Sequence, residues 1–137
     1  MIRTLCGAVL AGLTGCASLR AESPCPAPGQ QPMVVTELFF GRDIRGRQPL
    51  TEREWSDFAG ATIAKEFPDG FTALDGEGQW LDPHSHAPVL ERSKIVIAAA
   101  ARGDDLAGRI ARISDAYRTE FRQESVGVLT YNACGGF

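Results

Sequence analysis

The fold this sequence predicts is an α+β domain of the ferredoxin-like β-α-β-β-α-β kind, a four-stranded antiparallel sheet with two helices on one face. Two amphipathic helical segments, each with its own start signal, carry the prediction. So do four β-rich segments placed before, between and after them. At 137 residues, the chain has room for one such domain.

The first strand is Val34-Val35-Thr36-Glu37-Leu38-Phe39-Phe40, rich in β-branched and aromatic residues and closed by Gly41. After a loop over residues 41–50, Thr51-Glu52-Arg53-Glu54 makes a capping box, in which the Thr51 hydroxyl accepts from the third amide and Glu54 reaches back. Trp55, Phe58, Ala59, Thr62, Ile63 and Phe67 then share one helical face, and Pro68-Asp69-Gly70 ends the helix. Residues 71–75 read as a short second strand. Gly76-Glu77-Gly78 reads as turn material, with Gln79-Trp80-Leu81 extending a hairpin. A loop over residues 82–88 holds both histidines, and residues 92–100 form a third strand with an apolar centre.

Asp104 and Asp105 suit a helix start, where negative charge meets the positive end of the dipole. Leu106, Ile110, Ile113, Tyr117 and Phe121 follow at spacings of four and three, and Arg118 and Arg122 complement the far pole. Residues 125–131 complete the fourth strand. The expected arrangement sets the first and third strands parallel at the centre, with the fourth antiparallel beside the first.

Ahead of the domain, Met1-Ile2-Arg3 is a short positive start, residues 5–13 are an apolar run too short to span a bilayer, and Leu13-Thr14-Gly15-Cys16 follows. A Leu–small–small–Cys ending resembles the bacterial lipobox, which implies cleavage before Cys16 and a diacylglycerol on its sulfur. The expected organisation is therefore a signal peptide over residues 1–15, a proline-rich tether over residues 16–32 and the domain over residues 33–137. The tether holds Pro24, Pro26, Pro28 and Pro32 and reads as a spacer without helix or sheet. With Ala17 after the cysteine, Gram-negative sorting by resemblance implies the outer membrane, facing the periplasm.

Composition narrows the partners. Arg3 is the leader's only charge, so the mature part carries 13 basic against 17 acidic residues. That balance argues against nucleic acid, which needs a clustered positive surface. Of four cysteines, Cys6 leaves with the leader and Cys16 takes the lipid. An oxidising compartment favours a bridge between the remaining Cys25 and Cys134 over two free thiols. The fold favours it too, because a fourth strand antiparallel to the first returns Cys134 to where the chain enters.

Thr36-Glu37-Leu38-Phe39-Phe40-Gly41, Phe67-Pro68-Asp69-Gly70, Glu91-Arg92-Ser93-Lys94 and Gln123-Glu124-Ser125-Val126 resemble segments of an uncharacterised bacterial family of exported proteins, the domain-of-unknown-function family numbered thirty-five seventy-four. A cysteine near the C-terminus fits it as well. The resemblance implies the architecture and no activity.

Alternation along the strands assigns Leu38, Phe40, Ile95 and Ile97 to the helix-covered face. Val35, Glu37 and Phe39 then share the opposite face with Arg92, Lys94, Val96 and Ala98. Glu37, Phe39, Arg92 and Lys94, joined by Glu124, are the candidate binding face; a solvated Glu37–Lys94 ion pair is the plainer reading. Such a face meets a second subunit, making a homodimer, or lines a ligand cleft, by analogy with dimeric α+β-barrel proteins.

His84 and His86 fall short of the three or four ligands a metal site wants, so no metal is assigned. Arg42, Arg45 and Arg47 read as a solvated loop or a contact with acidic headgroups. Neither a nucleophile elbow nor a phosphate-cradling glycine loop occurs, Glu124 falls far from Glu37 for an acid–base pair, and no cofactor is implied.

The reading is a lipid-anchored, non-catalytic binding or interaction module. Its rivals are a small-molecule enzyme of dimeric α+β-barrel type, with a cleft lined by Glu37, Arg92 and Lys94, and a purely structural envelope component. Cys16→Ser is expected to abolish membrane association in cell fractionation; an unchanged membrane fraction would rule the anchor out.

Overall fold

The computed structural model describes residues 25–103 and 105–137. The expected signal peptide, the expected lipid acceptor Cys16, the start of the expected tether and Asp104 lie outside the described residues. Eight segments follow in order: β1 (Gln31–Gly41), α1 (Glu52–Phe58), a π-helical turn (Ala59–Ile63), α2 (Ala64–Glu66), β2 (Thr72–Leu81), β3 (Pro88–Ala101), α3 (Leu106–Phe121) and β4 (Gly127–Gly135). The sheet order is β2-β3-β1-β4. This is the ferredoxin-like order.

One expectation about the sheet is corrected. β1 and β3 are neighbours, but they run antiparallel, with Leu38 opposite Val96. The crossover through the first helix returns β2 with a gap beside β1. The β2–β3 hairpin then reverses direction and drops β3 into that gap, antiparallel to both strands.

Gly76 and Gly78 do not make a turn. β2 runs unbroken through them, pairing Gly76 with Ser93 and Gly78 with Glu91, and the reversal occurs later, over residues 82–87. There the Asp82 carboxylate accepts from the amides of His84 and Ser85, each at 2.8 Å. This local turn chemistry outcompetes the glycine pair. β1 also begins at Gln31, two residues inside the stretch read as tether, because Pro32 pairs with Cys134 on β4.

Thr51 caps α1 as its sequence requires. Its hydroxyl accepts from the Glu54 amide at 3.3 Å, and the Thr51 amide donates to Glu54 Oε2 at 2.9 Å. The Thr51 backbone and the Arg47 guanidinium hold the Glu54 pKa at about 2. The run from residue 52 to residue 66 is not one regular α-helix; a π turn occupies Ala59–Ile63. Small residues and Gly60 there give the backbone the latitude for a wider turn. It keeps Phe58 and Ile63 both in the core. α3 starts at the N-cap Asp105, whose carboxylate accepts from the Gly108 amide, and buries Ile113, Tyr117 and Phe121.

Both helices cover the same side of the sheet. The core joins Leu38, Phe40, Val96 and Ala98 from the strands to Trp55, Phe58, Ile63, Ile113, Tyr117 and Phe121 from the helices. Its centre is aromatic: Tyr117 lies 4.7 Å from Phe40 and 5.1 Å from Phe58, ring centroid to centroid, in edge-on contacts. Tyr117 is wholly buried, and its hydroxyl donates to the Gly41 carbonyl at 2.8 Å. That bond pins the end of β1 to α3.

Cys25 and Cys134 are joined by a disulfide, with Cα atoms 5.6 Å apart and a sequence separation of 109. The chain before β1 folds back, with Gln30 donating to the Ala27 carbonyl at 3.3 Å, and so meets the end of β4. Closing a loop of this size contributes up to about 4–5 kcal/mol in the chain-entropy account. Among the described residues, no helix is long and apolar enough to cross a membrane.

Candidate functional site

With the β1–β3 register in hand, the strand faces can be assigned residue by residue, and part of the expected binding face moves. On β3 the helix-side residues are Lys94, Val96, Ala98 and Ala100, all buried, while Ile95 and Ile97 lie on the open side and are only half-buried. The alternation of β3 is therefore opposite to the expectation. The rings of Trp55, Phe58, Tyr117 and Phe121 fill the space between the layers, so the strand beneath them needs small side chains, and the bulkier isoleucines point the other way.

Lys94 and Arg92 consequently leave the candidate face. The Lys94 ammonium reaches Asp75 at 2.6 Å and Glu52 at 2.8 Å. Burial alone would lower its pKa, but the two carboxylates outweigh burial and raise it. Arg42 joins the same cluster rather than a solvated loop. It is 9% exposed, lies 2.7 Å from Glu52, and its guanidinium donates twice to the Leu50 carbonyl, at 2.6 and 3.1 Å. Arg92 is exposed on the helix-side register, and its carbonyl accepts from the Arg42 amide at 2.9 Å. Glu37 pairs with the Tyr131 hydroxyl at 2.9 Å instead of with Lys94. Glu124 lies in the turn before β4, paired with Arg45, while Glu37 sits opposite Leu129 and bonds Tyr131, so the two carboxylates have separate partners and form no acid–base pair.

A groove of about 900 Å³ crosses the end of the open face, where β1 finishes and β4 begins. Of the candidate residues, Phe39 and Glu124 line it; Trp80, Glu91, Ser93 and Asp43 line it too, and the sequence reading did not single them out. The floor is made by glycines. Gly78 sits opposite Glu91 on β2, and at Gly41 the Glu91 carboxylate fills the space a side chain would need. At Gly127 an added Cβ would come within 3.2 Å of Phe39, so the Phe39 side chain lies over that glycine. The rim is closed by an Arg45–Glu124 ion pair at 3.1 Å, and the Gln123 amide donates to the Asp43 carbonyl at 2.6 Å.

Glu91 is the distinctive group. Its pKa is raised, first because burial withdraws solvent from the carboxylate and second because Asp43 is close; the Trp80 side chain and the Asp43 backbone pull the other way. Glu52, Glu54, Glu66, Asp75 and Asp82 shift downward, each held by hydrogen-bond donors or cations. A carboxylate kept partly dry over glycines, between an aromatic wall and a polar rim, can accept a hydrogen bond or meet a cation from a bound molecule. Its raised pKa also leaves it a better proton carrier than an ordinary solvated carboxylate.

His84 and His86 lie exposed at the tip of the β2–β3 hairpin, and the described residues contain no group of three or more His, Cys, Asp or Glu side chains arranged to hold a metal.

The molecule is thus a ferredoxin-like sandwich with one uncovered sheet face and a glycine-floored groove across its end. It belongs to the family described as Protein of unknown function (DUF3574), whose model matches residues 35–137. Three of the four segments that carry the family resemblance in the sequence contribute to the groove: Phe39 and Gly41, Glu91 and Ser93, and Gln123 through Ser125. No curated protein matches the chain. Among solved structures, it is similar to a phage SAM lyase in complex with S-methyl-5'-thioadenosine, at 18% identity and a TM-score of 0.57, over 88% of this chain and 97% of that one. The phage SAM lyase in its apo state gives 19% identity and a TM-score of 0.52, over 80% and 93%. At this identity the likeness is one of fold.

The Glu91 carboxyl yields a signed prediction. Its folded pKa lies above its ordinary value of 4.5, so its contribution to stability is full below pH 4.5 and is lost as pH rises through the folded pKa. Glu91→Gln, which stays neutral, is expected to match the wild type near pH 4.5 and to exceed it at pH 7 in urea denaturation. An equal difference at both pH values would contradict a desolvated carboxylate.

Proposed function

We propose that this protein is a small-molecule-binding module held at the bacterial cell envelope by a lipid on Cys16, with its ligand lying in the groove against Glu91. The observation that carries the reading is the Glu91 carboxylate itself. It sits over Gly41, opposite Gly78, with its charge disfavoured by burial and by Asp43. A protein accepts such a cost where a partner for the group arrives from outside. Phe39 and Trp80 offer apolar contact, and Ser93 and Gln123 offer hydrogen bonds that would fix an orientation. The ligand is expected to be of metabolite size and to present a hydrogen-bond donor or a cationic centre to Glu91.

The envelope location rests on the lipobox-like Leu13-Thr14-Gly15-Cys16 and the proline-rich segment after it, supported by the Cys25–Cys134 disulfide, which suits an oxidising compartment. With Ala17 next to the acceptor cysteine, the outer membrane facing the periplasm is the proposed site.

The second reading is an enzyme acting on a small molecule in the same groove. The raised pKa favours it, because a carboxyl poised upward is what general acid–base catalysis uses. The fold shared with phage SAM lyase leaves it open. In this reading Glu91 takes the role first assigned to a cleft of Glu37, Arg92 and Lys94.

Native mass spectrometry of the protein purified from its own envelope separates these readings. A mass adduct kept by the wild type and lost in both Glu91→Gln and Trp80→Ala is the expected result. An unliganded mass throughout would contradict a resident ligand, and an adduct that the protein converts over time would establish the enzyme.

A further inference from the structure

We infer that the open face of the sheet is covered by a second copy of this chain, paired about a two-fold axis running along the strands. The inference goes beyond the groove reading and rests on the pattern of the whole face.

The first observation is what the face lacks. On the open side, the four strands carry two charged residues, Glu37 and Glu91, and no cation; Arg92 and Lys94 belong to the helix-side register. Glu37 is already engaged by Tyr131 of its own chain. The rest is apolar or small. Leu74 is 47% exposed, Leu129 55% and Tyr131 48%, on either side of the half-buried Ile95 and Ile97. The strands themselves offer no cation to an anionic headgroup surface or a nucleic acid; Arg45 and Arg122 stand at the groove end alone, and Arg45 is already paired with Glu124. The apolar stretch between the strands is what a protein surface of the same kind would cover.

The second observation is size. The nine-residue overlap of β1 with β3, at about 3.3 Å per residue, and four strands about 4.8 Å apart give a plane on the order of 600 Å² before side-chain relief. A standard protein interface buries ~800 Å² per partner. The bare plane is thus about three quarters of a standard interface, and side-chain relief adds to it.

The third observation is relief, and it selects the symmetry. Read across the sheet from β2 to β4, one row runs Leu74, Ile95, Phe39, Gly127, and the next runs Thr72, Ile97, Glu37, Leu129. The first row is tall at its β2 end and flat at its β4 end; the second is the reverse. A two-fold axis parallel to the central strands lays β2 of one copy over β4 of the other. Leu74 then faces Gly127, and Leu129 faces Thr72. Large meets small at the ends of both rows, while at the centre Ile95 meets Phe39 and Ile97 meets the stem of Glu37, and each contact occurs twice, as an isologous pairing has it. The groove opens on this same face, so the partner closes its open side.

Sedimentation velocity of the purified protein tests the inference. Wild type is expected to sediment as a dimer at micromolar concentration, and Leu74→Glu and Leu129→Glu as monomers. Both positions are half-exposed in the single chain, so the variants are expected to keep wild-type circular dichroism. A monomeric wild type, or variants that remain dimeric, would overturn the pairing. So would a monomeric wild type that floats with phosphatidylcholine vesicles, which would give the face to lipid. A monomer that retains a groove adduct in native mass spectrometry overturns the pairing and leaves the groove reading standing; a dimer with no adduct does the opposite.

Discussion

The Lys94 ammonium, held at 2.6 and 2.8 Å by Asp75 and Glu52, decides which side of β3 is the inside. A lysine is an unusual choice for a strand position facing a core. Here its long apolar stem follows the layer boundary and its charge emerges between β2 and the start of α1. Arg42 braces the same carboxylates and the Leu50 carbonyl, and so ties the loop after β1 to the capped end of α1. Removing one member of such a cluster leaves the others short of partners, which is why these groups act together. With Lys94 turned inward, Val96, Ala98 and Ala100 must face the aromatic layer, and Glu91, Ser93, Ile95 and Ile97 must face outward. The groove and the apolar face both follow from that one choice of side.

The two faces of the sheet spend their polar groups differently. Toward the helices, charges are matched, and the carboxylates of Glu52 and Asp75 are pulled below their usual range by Lys94 and Arg42. Toward the open side, Glu91 is pushed up by burial and by Asp43. The matched cluster serves the fold, while the mismatched carboxylate costs stability at neutral pH. A domain stapled by the Cys25–Cys134 bridge and packed around five interlocking aromatic rings can tolerate that cost.

Much of the architecture was legible in the sequence because its signals are local. The Thr51–Glu54 capping box, the stripe from Leu106 to Phe121 and the β-branched run of β1 each depend on near neighbours, and each appears in the structure. The cysteine pairing followed from strand order, a property of topology. What escaped were features set by packing between elements. Hydrophobicity alone ranks Ile95 and Ile97 above Val96 and Ala98, but the aromatic load from α1 and α3 demanded the small side chains inside. Gly76 and Gly78 look like a turn in one dimension and prove to lie within β2, where Gly78 joins the groove floor. Glu91 stood in the sequence only as part of the family-like segment Glu91-Arg92-Ser93-Lys94, with nothing to mark it as the group of interest. Its place opposite Gly78 becomes visible only with the β2–β3 register.

The account stands on the inward side of β3, and the paired substitutions Val96→Asp and Ile97→Asp test it in one thermal denaturation series. A carboxylate at Val96, which is wholly buried, is expected to cost more than about 3 kcal/mol and to unfold the domain at ordinary temperature. The same change one residue on, at Ile97, is expected to leave a cooperatively folded chain. Equal damage from both, or a folded Val96→Asp beside an unfolded Ile97→Asp, would show that the helices cover the other side and would remove Glu91 from the open face.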